Sequence, residues 1–178
     1  MRPPRCTVDT SCIIALDHLG LLPKLSVLFS RVLLPKAVRN ELFKDTATKD
    51  RVQSLFNTYA FVERCDEYDK GAVDILLVER IQQGTEDRGE AEAVVQAAEV
   101  GAMVIVDDRW GRELAARYKL DHHGTFWIID QLYSLGLLSS SAFRICFEEL
   151  RKRNIWLPWK KINARLEQIG EEPLSPFG

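Results

Sequence analysis

The sequence lacks any long apolar run. No stretch approaches the roughly 20 consecutive apolar residues that a bilayer-spanning helix needs, which argues against a membrane protein. It lacks paired cysteines: Cys6, Cys12, Cys65 and Cys146 are scattered with no CxxC among them, so a zinc site is not expected. It lacks a charge excess, since 24 Lys and Arg against 26 Asp and Glu leave a net −2. Any contact with nucleic acid must therefore use a local patch. It also lacks a phosphate-cradling loop of the GxxxxGK[ST] or GxGxxG kind, which argues against a nucleotide-binding module. The opening MRPPRCTVDTS has no apolar h-region and reads as running straight into structure. Free thiols in a reducing cytoplasm are the resulting expectation.

What is present is an ordinary globular balance, 46% hydrophobic and 28% charged over 178 residues, enough for one cored domain. We expect a single domain over residues 1–171 and a tail, 172–178, that frays. Strands are expected at Arg5 to Asp9, 31–34, 60–65, 103–107 and near Leu120. Helices are expected from Ser11 to Leu19, through LLPKLSVLF, from Pro35 to Lys44, and through KDRVQSLFNTY and EYDKGAVDILLVERIQQG. QGTEDRG reads as a loop, and the helix at 89–100 carries apolar Ala91, Val94, Val95 and Ala98 at i, i+3, i+4 and i+7. WGRELAARYK, GTFWIIDQLYSL, SAFRICFEELRKR and KKINARLEQIG complete the helices. Strands alternating with helices predict an α/β fold, a parallel sheet covered on both faces.

In such a sheet, ligands bind beyond the carboxyl ends of the strands. Asp9 closes one apolar strand; Asp107 and Asp108 close another. Glu41 lies on the apolar stripe of PKAVRNELF, beside Leu42 and three residues after Val38, where an unpaired charge is costly. Glu90 opens its helix after a glycine that leaves the helix start open, and Glu92, two positions on, points elsewhere. Plain alternatives exist: each Asp can be an N-cap, and Asp87 stands at capping-box spacing from Glu90. Caps explain neither Glu41 nor the doubled aspartate. Several carboxylates on one edge need a compensating cation or shared protons. An all-oxygen set suits Mg²⁺ or Mn²⁺, and the chemistry then suggested is hydrolysis of a phosphate ester.

VDTS at 8–11, LPKAVRNEL at 34–42, DRGEAEAVVQAAEVGA at 87–102 and VDDRWGR at 106–112 resemble the PIN-domain family, closest to its bacterial branch with GEAEA and DDRxGR signatures. GTFWIIDQLYSLGLL at 124–138 and the last two helices fit the same branch. The resemblance implies a Rossmann-like three-layer sandwich and a metal-dependent nuclease, most often cutting RNA with Mg²⁺ or Mn²⁺. Its acidic quartet maps onto Asp9, Glu41, Glu90 and the Asp107/Asp108 pair. Asp9, Glu90 and Asp107 or Asp108 would hold the metal, with Asp107 favoured as nearer the strand end; Glu41 would orient water. Thr10 or Ser11 would hydrogen-bond a carboxylate or phosphate. Arg109 and Arg112 would contact phosphate, or else form surface ion pairs. Many bacterial members resemble VapC-type toxins held by a small antitoxin, and a homodimer is a further expected partner. The runner-up is a module that binds RNA or protein with little catalysis. A phosphotransferase with an aspartyl nucleophile is disfavoured, because TSCII after Asp9 supplies no second aspartate.

Three features stand outside this reading. RKRNIWLPWKK at 151–161 mixes five basic residues with Trp156 and Trp159, a combination that can bind single-stranded nucleic acid. The plainer expectation packs the tryptophans inward and leaves the charges in water. His122 and His123 cannot chelate as a helical pair, so one ring should pack and one be solvated. His18 reads as structural.

Overall fold

A computed structural model of the chain describes residues 4–44, 50, 53–54, 56–81 and 87–174. The chain forms two compact units, Met1–His123 and Gly124–Gly178. The first is built on five parallel strands: β1 (Arg5–Val8), β2 (Arg31–Leu34), β3 (Val62–Arg64), β4 (Met103–Ile105) and β5 (His122–His123), in the order β3-β2-β1-β4-β5. Cys6 pairs with Val32 on one side and Met103 on the other. Three of the four residues of β1 and of β2 are buried, as expected of strands covered on both faces.

Around the sheet lie α1 (Thr10–His18), a 3-10 turn (Leu22–Lys24), α2 (Leu25–Leu28), α3 (Lys36–Lys44), α4 (Lys70–Ile81), α5 (Arg88–Val100) and α6 (Arg109–Arg117). The path β1 to β2 to β3 steps one way along the sheet, and β3 to β4 to β5 steps the other way. Right-handed crossovers then place their helices on opposite faces, giving the three-layer α/β arrangement expected. The reversal falls between β1 and β4, so the crevice beyond their carboxyl ends is the natural ligand site.

One core joins Val73, Leu76 and Leu77 of α4, Ala91, Val94 and Val95 of α5, Val104 of β4, Val106 just after it, and Leu114 of α6. Helix α5 is also tied by polar bonds. The Thr7 hydroxyl donates to the Ala93 carbonyl at 2.8 Å, and the Gln96 amide donates to the Cys65 carbonyl at 3.1 Å. These bonds fix α5 against β1 and the end of β3.

The second unit holds α7 (Thr125–Ser134), α8 (Ser140–Lys152) and α9 (Trp159–Gln168). Phe143 and Phe147 meet edge to face at 4.9 Å, with Tyr133 at 5.2 Å from Phe143 and Phe126 at 5.9 Å from Phe147. Such aromatic pairs add to simple area burial. Arg165 joins α9 to α7 through Asp130 at 2.7 Å.

Several expectations need correction. Strand β1 stops at Val8, because Asp9 serves as the N-cap of α1. The short last strand expected near Leu120 lies at His122–His123. Both imidazoles are half-buried: His122 bonds the Leu120 carbonyl at 3.0 Å, and His123 lies 3.2 Å from Asp121. The start of the tail does not fray, since Leu174 is buried and exchanges two hydrogen bonds with Asn163 at 3.0 and 3.1 Å. The helix expected at KDRVQSLFNTY is helical where described up to Thr58, and Tyr59 lies beyond it; most of the QGTEDRG loop and residues 175–178 lie outside the described residues.

Candidate active site

The Asp9 amide donates to the Ile105 carbonyl at 2.9 Å, so β1 and β4 stay paired to the point where the acids begin. Asp9 is 2% exposed. Its Oδ2 accepts from the Ser11 amide at 3.2 Å and the Ser11 hydroxyl at 2.6 Å. The cap explanation is therefore correct for Asp9, but a cap does not require burial, and burial opposes the charge. The Asp9 carboxyl is pushed up to about 6, first by desolvation, against the lowering by the Ser11 and Thr10 hydrogen bonds, with the Glu41 charge adding to the rise.

Glu41 reaches the same place from α3, where its Oε2 accepts a short hydrogen bond from the Thr10 hydroxyl. Thr10 and Ser11 thus both bind carboxylates. Gly89 makes room for Glu41: a Cβ built there would lie 3.1 and 3.2 Å from the two Glu41 oxygens. Gly111 does the same on α6, where a Cβ would lie 2.5 Å from Val106 Cγ2 and 3.3 Å from Glu90 Cγ. The glycines of RGE and WGR let three elements close around the acids. Glu90 is half-buried, and its carboxyl is pushed up to about 8 by desolvation first, then by the charges of Asp9, Asp87 and Glu41. Asp87, at the N-cap position of α5, makes no side-chain cap bond. Its carboxylate pairs instead with Arg80 at 2.6 Å, whose guanidinium rests on the Trp110 ring at 5.0 Å.

The two aspartates of VDDR separate cleanly. Asp108 is exposed and caps α6, accepting from the Trp110 amide at 2.7 Å and the Gly111 amide at 3.4 Å. Asp107 is half-buried, and its Oδ2 accepts from the Cys12 thiol at 3.3 Å, one turn of α1 beyond Asp9. Asp107 thus reaches α1 at Cys12, three residues after Asp9, while Asp108 serves as a helix cap. Of the two arginines, Arg109 forms the expected surface ion pair, with Glu113 at 2.7 Å, and Arg112 meets a backbone carbonyl, donating to that of Val106 at 3.1 Å.

A family model described as a PIN domain matches residues 5–171. The chain belongs to the PIN-domain family. No curated protein matches it. The PIN fold is a nuclease-type fold, and in this PIN domain the acids stand where the sheet reverses direction. Their donor chemistry fits a hard divalent cation: carboxylate oxygens only, with the Asp9 and Glu90 carboxyls driven toward retaining protons by burial first and by neighbouring acid charge, Glu41 beside both. Among the described residues, no three His, Cys, Asp or Glu side chains are drawn in tightly enough to hold an ion as they stand.

One residue of this PIN domain escaped the sequence reading. Glu92 does point away from Glu90, yet it is 3% exposed. Its Oε2 accepts from the Ala37 amide at 2.7 Å, and Oε1 lies 3.6 Å from Arg88. Ala37 belongs to the first turn of α3, whose amides have no partner within the helix. Glu92 therefore caps a helix distant in sequence and locks the carrier of Glu41 onto the carrier of Glu90. The signal available was the second glutamate of GEAEA, set among residues at buried positions.

Proposed function

We propose that this PIN domain is a Mg²⁺- or Mn²⁺-dependent phosphodiesterase that cleaves RNA. The observation that carries this reading is the convergence of acids on one place: Asp9 is 2% exposed, Glu41 is held beside it by Thr10 and lies against Gly89 next to Glu90, and burial with these neighbouring charges raises the Asp9 and Glu90 carboxyls. Acids clustered so that their charges oppose one another destabilise the ligand-free chain, and a divalent cation offsets that repulsion. Asp9, Glu90 and Asp107 would hold the cation. When bound, it supplies a Lewis acid that makes water nucleophilic near neutral pH and neutralises charge on the phosphoryl oxygens. Glu41, anchored by Thr10, would orient the attacking water and accept its proton. Ser11 holds Asp9 in one orientation, and the Cys12 thiol does so for Asp107. Carboxylates fixed in this way need no rearrangement as the phosphodiester reacts.

The test is incubation of the purified protein with end-labelled RNA, with and without Mn²⁺. Cleavage should require the metal and disappear in Asp9→Asn, while that variant melts no lower than the parent. Cleavage in EDTA, or activity retained by Asp9→Asn, would overturn the reading. A toxin held by a small antitoxin is the setting we carry from the family resemblance; its check is growth arrest on expression, relieved by a small protein encoded beside it. One observation favours a second reading, a PIN module that binds RNA without cutting it: among the described residues, no three donors are drawn in tightly enough to hold an ion. Calorimetry showing no Mn²⁺ binding, alongside RNA binding in EDTA, would select that alternative.

A further inference from the structure

The turn between α8 and α9 departs from its expected packing. Trp156 is 72% exposed, whereas Leu157 beside it is 1% exposed and anchors the turn. The chain reaches this position through Asn154 at φ 55°, with the Ile155 amide bonded to the Leu150 carbonyl at 3.1 Å. Trp156 is thus an indole held out in water on an anchored turn. Such exposure forfeits the large hydrophobic gain of burying it.

The charges around it are one-sided. Residues 151–161 contain five Lys and Arg and no acid, in a chain of net −2. Arg151 and Lys152 end α8, where the helix dipole favours cations. Lys160 and Lys161 have no such reason. They sit in the first turn of α9, which holds no acidic residue and has no side-chain cap, and cations at that end of a helix are unfavourable. Arg153, Lys160 and Lys161 are exposed and, among the described residues, form no ion pair. The arrangement suits an anion with a flat apolar group attached.

We infer that this turn is a stacking platform for single-stranded RNA, with the face of Trp156 taking an unpaired base and Arg153, Lys160 and Lys161 holding phosphates. The inference rests on RNA being the ligand class proposed above and deepens it: an unpaired strand is preferred to a duplex, whose bases are stacked on one another. A membrane surface fits less well, because Trp156 is the one large exposed apolar side chain within residues 151–161, too little for an inserting face.

The experiment measures binding of a fluorescein-labelled, unstructured 12-nucleotide RNA to the full chain in EDTA, by anisotropy. Trp156→Ala should weaken binding about 5- to 100-fold, and Trp156→Phe should recover most of it. The double change Lys160→Glu, Lys161→Glu should weaken binding and flatten its salt dependence. Duplex RNA of the same sequence should bind more weakly than the single strand. Unchanged binding in Trp156→Ala overturns the inference, as does equal affinity for duplex, or binding to phosphatidylserine vesicles without binding to RNA. The two readings fail separately. Trp156-dependent binding without any cleavage removes the nuclease and keeps the platform. Metal-dependent cleavage with unaltered RNA affinity and KM in Trp156→Ala removes the platform and keeps the nuclease.

Discussion

At the scale of single residues, the adjacent aspartates of VDDR show how one position changes a role. Both follow buried Val106, and both are acids at a strand end. Asp108 meets the amides of Trp110 and Gly111, so its carboxylate completes α6. Asp107 instead accepts from the Cys12 thiol of α1, the helix that Asp9 caps. The expected consequence is a clean division. Asp107→Asn should remove cleavage with little change in melting temperature. Asp108→Asn should be close to neutral, because Asn caps as well as Asp, while Asp108→Ala should cost about 1 kcal/mol of stability and leave cleavage intact well below the melting point. Side-by-side thermal melts and RNA cleavage assays check this. Loss of activity in Asp108→Asn with Asp107→Asn still active would reverse the assignment.

At the scale of elements, the site depends on how α3 and α5 are held together. Glu92 is the bond that does this, by accepting the Ala37 amide in a place shut off from water. Glu92→Ala leaves that amide without an acceptor, which costs about 1–3 kcal/mol, or roughly 3–10 °C in melting temperature. Glu92→Gln keeps an acceptor and should lose less. Hydrogen exchange should quicken at the start of α3 in Glu92→Ala, and cleavage should fall because Glu41 shifts with its helix. An unchanged melt and unchanged exchange would refute this clamp. The same comparison explains what was readable beforehand. Short strand-forming runs ending in acid, CTV before Asp9 and VIV before Asp107, mark parallel strands that deliver charge to one edge, so the sheet was legible, and Glu41 stood out as a charge on an apolar helical stripe. Roles that depend on contacts between distant segments were not. Glu92 looks like any second acid on a helix until α3 lies against it, and Trp156 looks like core until Leu157 takes the anchoring place. The capping box that the spacing of Asp87 and Glu90 offered as an alternative does not form on the Asp87 side, since Arg80 draws Asp87 away.

At the scale of the whole molecule, the acidic site makes stability depend on pH in an unusual direction. Paired carboxylates in most folds sit below their ordinary values and lose stability in acid. Here Asp9 and Glu90 lie above them, at about 6 and about 8, so the folded chain keeps protons that the unfolded chain releases near pH 4. More protons on the native state make the slope of unfolding free energy against pH negative. Below about pH 4 both states are protonated and these groups contribute nothing; from there to about pH 8 they progressively destabilise the ligand-free fold. Net charge is near zero, at −2 with a sequence pI near 6.0, so this response is local and not a general swelling of the chain. A cation reverses it, because ligation requires the deprotonated acids and is stronger as pH rises. Melts in EDTA should therefore fall between pH 4.5 and 8.5 more steeply for the parent than for the double variant Asp9→Asn, Glu90→Gln. Added Mg²⁺ should raise the parent's melting temperature more at pH 8 than at pH 5, and should leave the double variant nearly unmoved at both. Parallel pH profiles for the two proteins, or a Mg²⁺ shift that is the same at both pH values, would mean that the acids at the strand ends do not share a charge-balanced site.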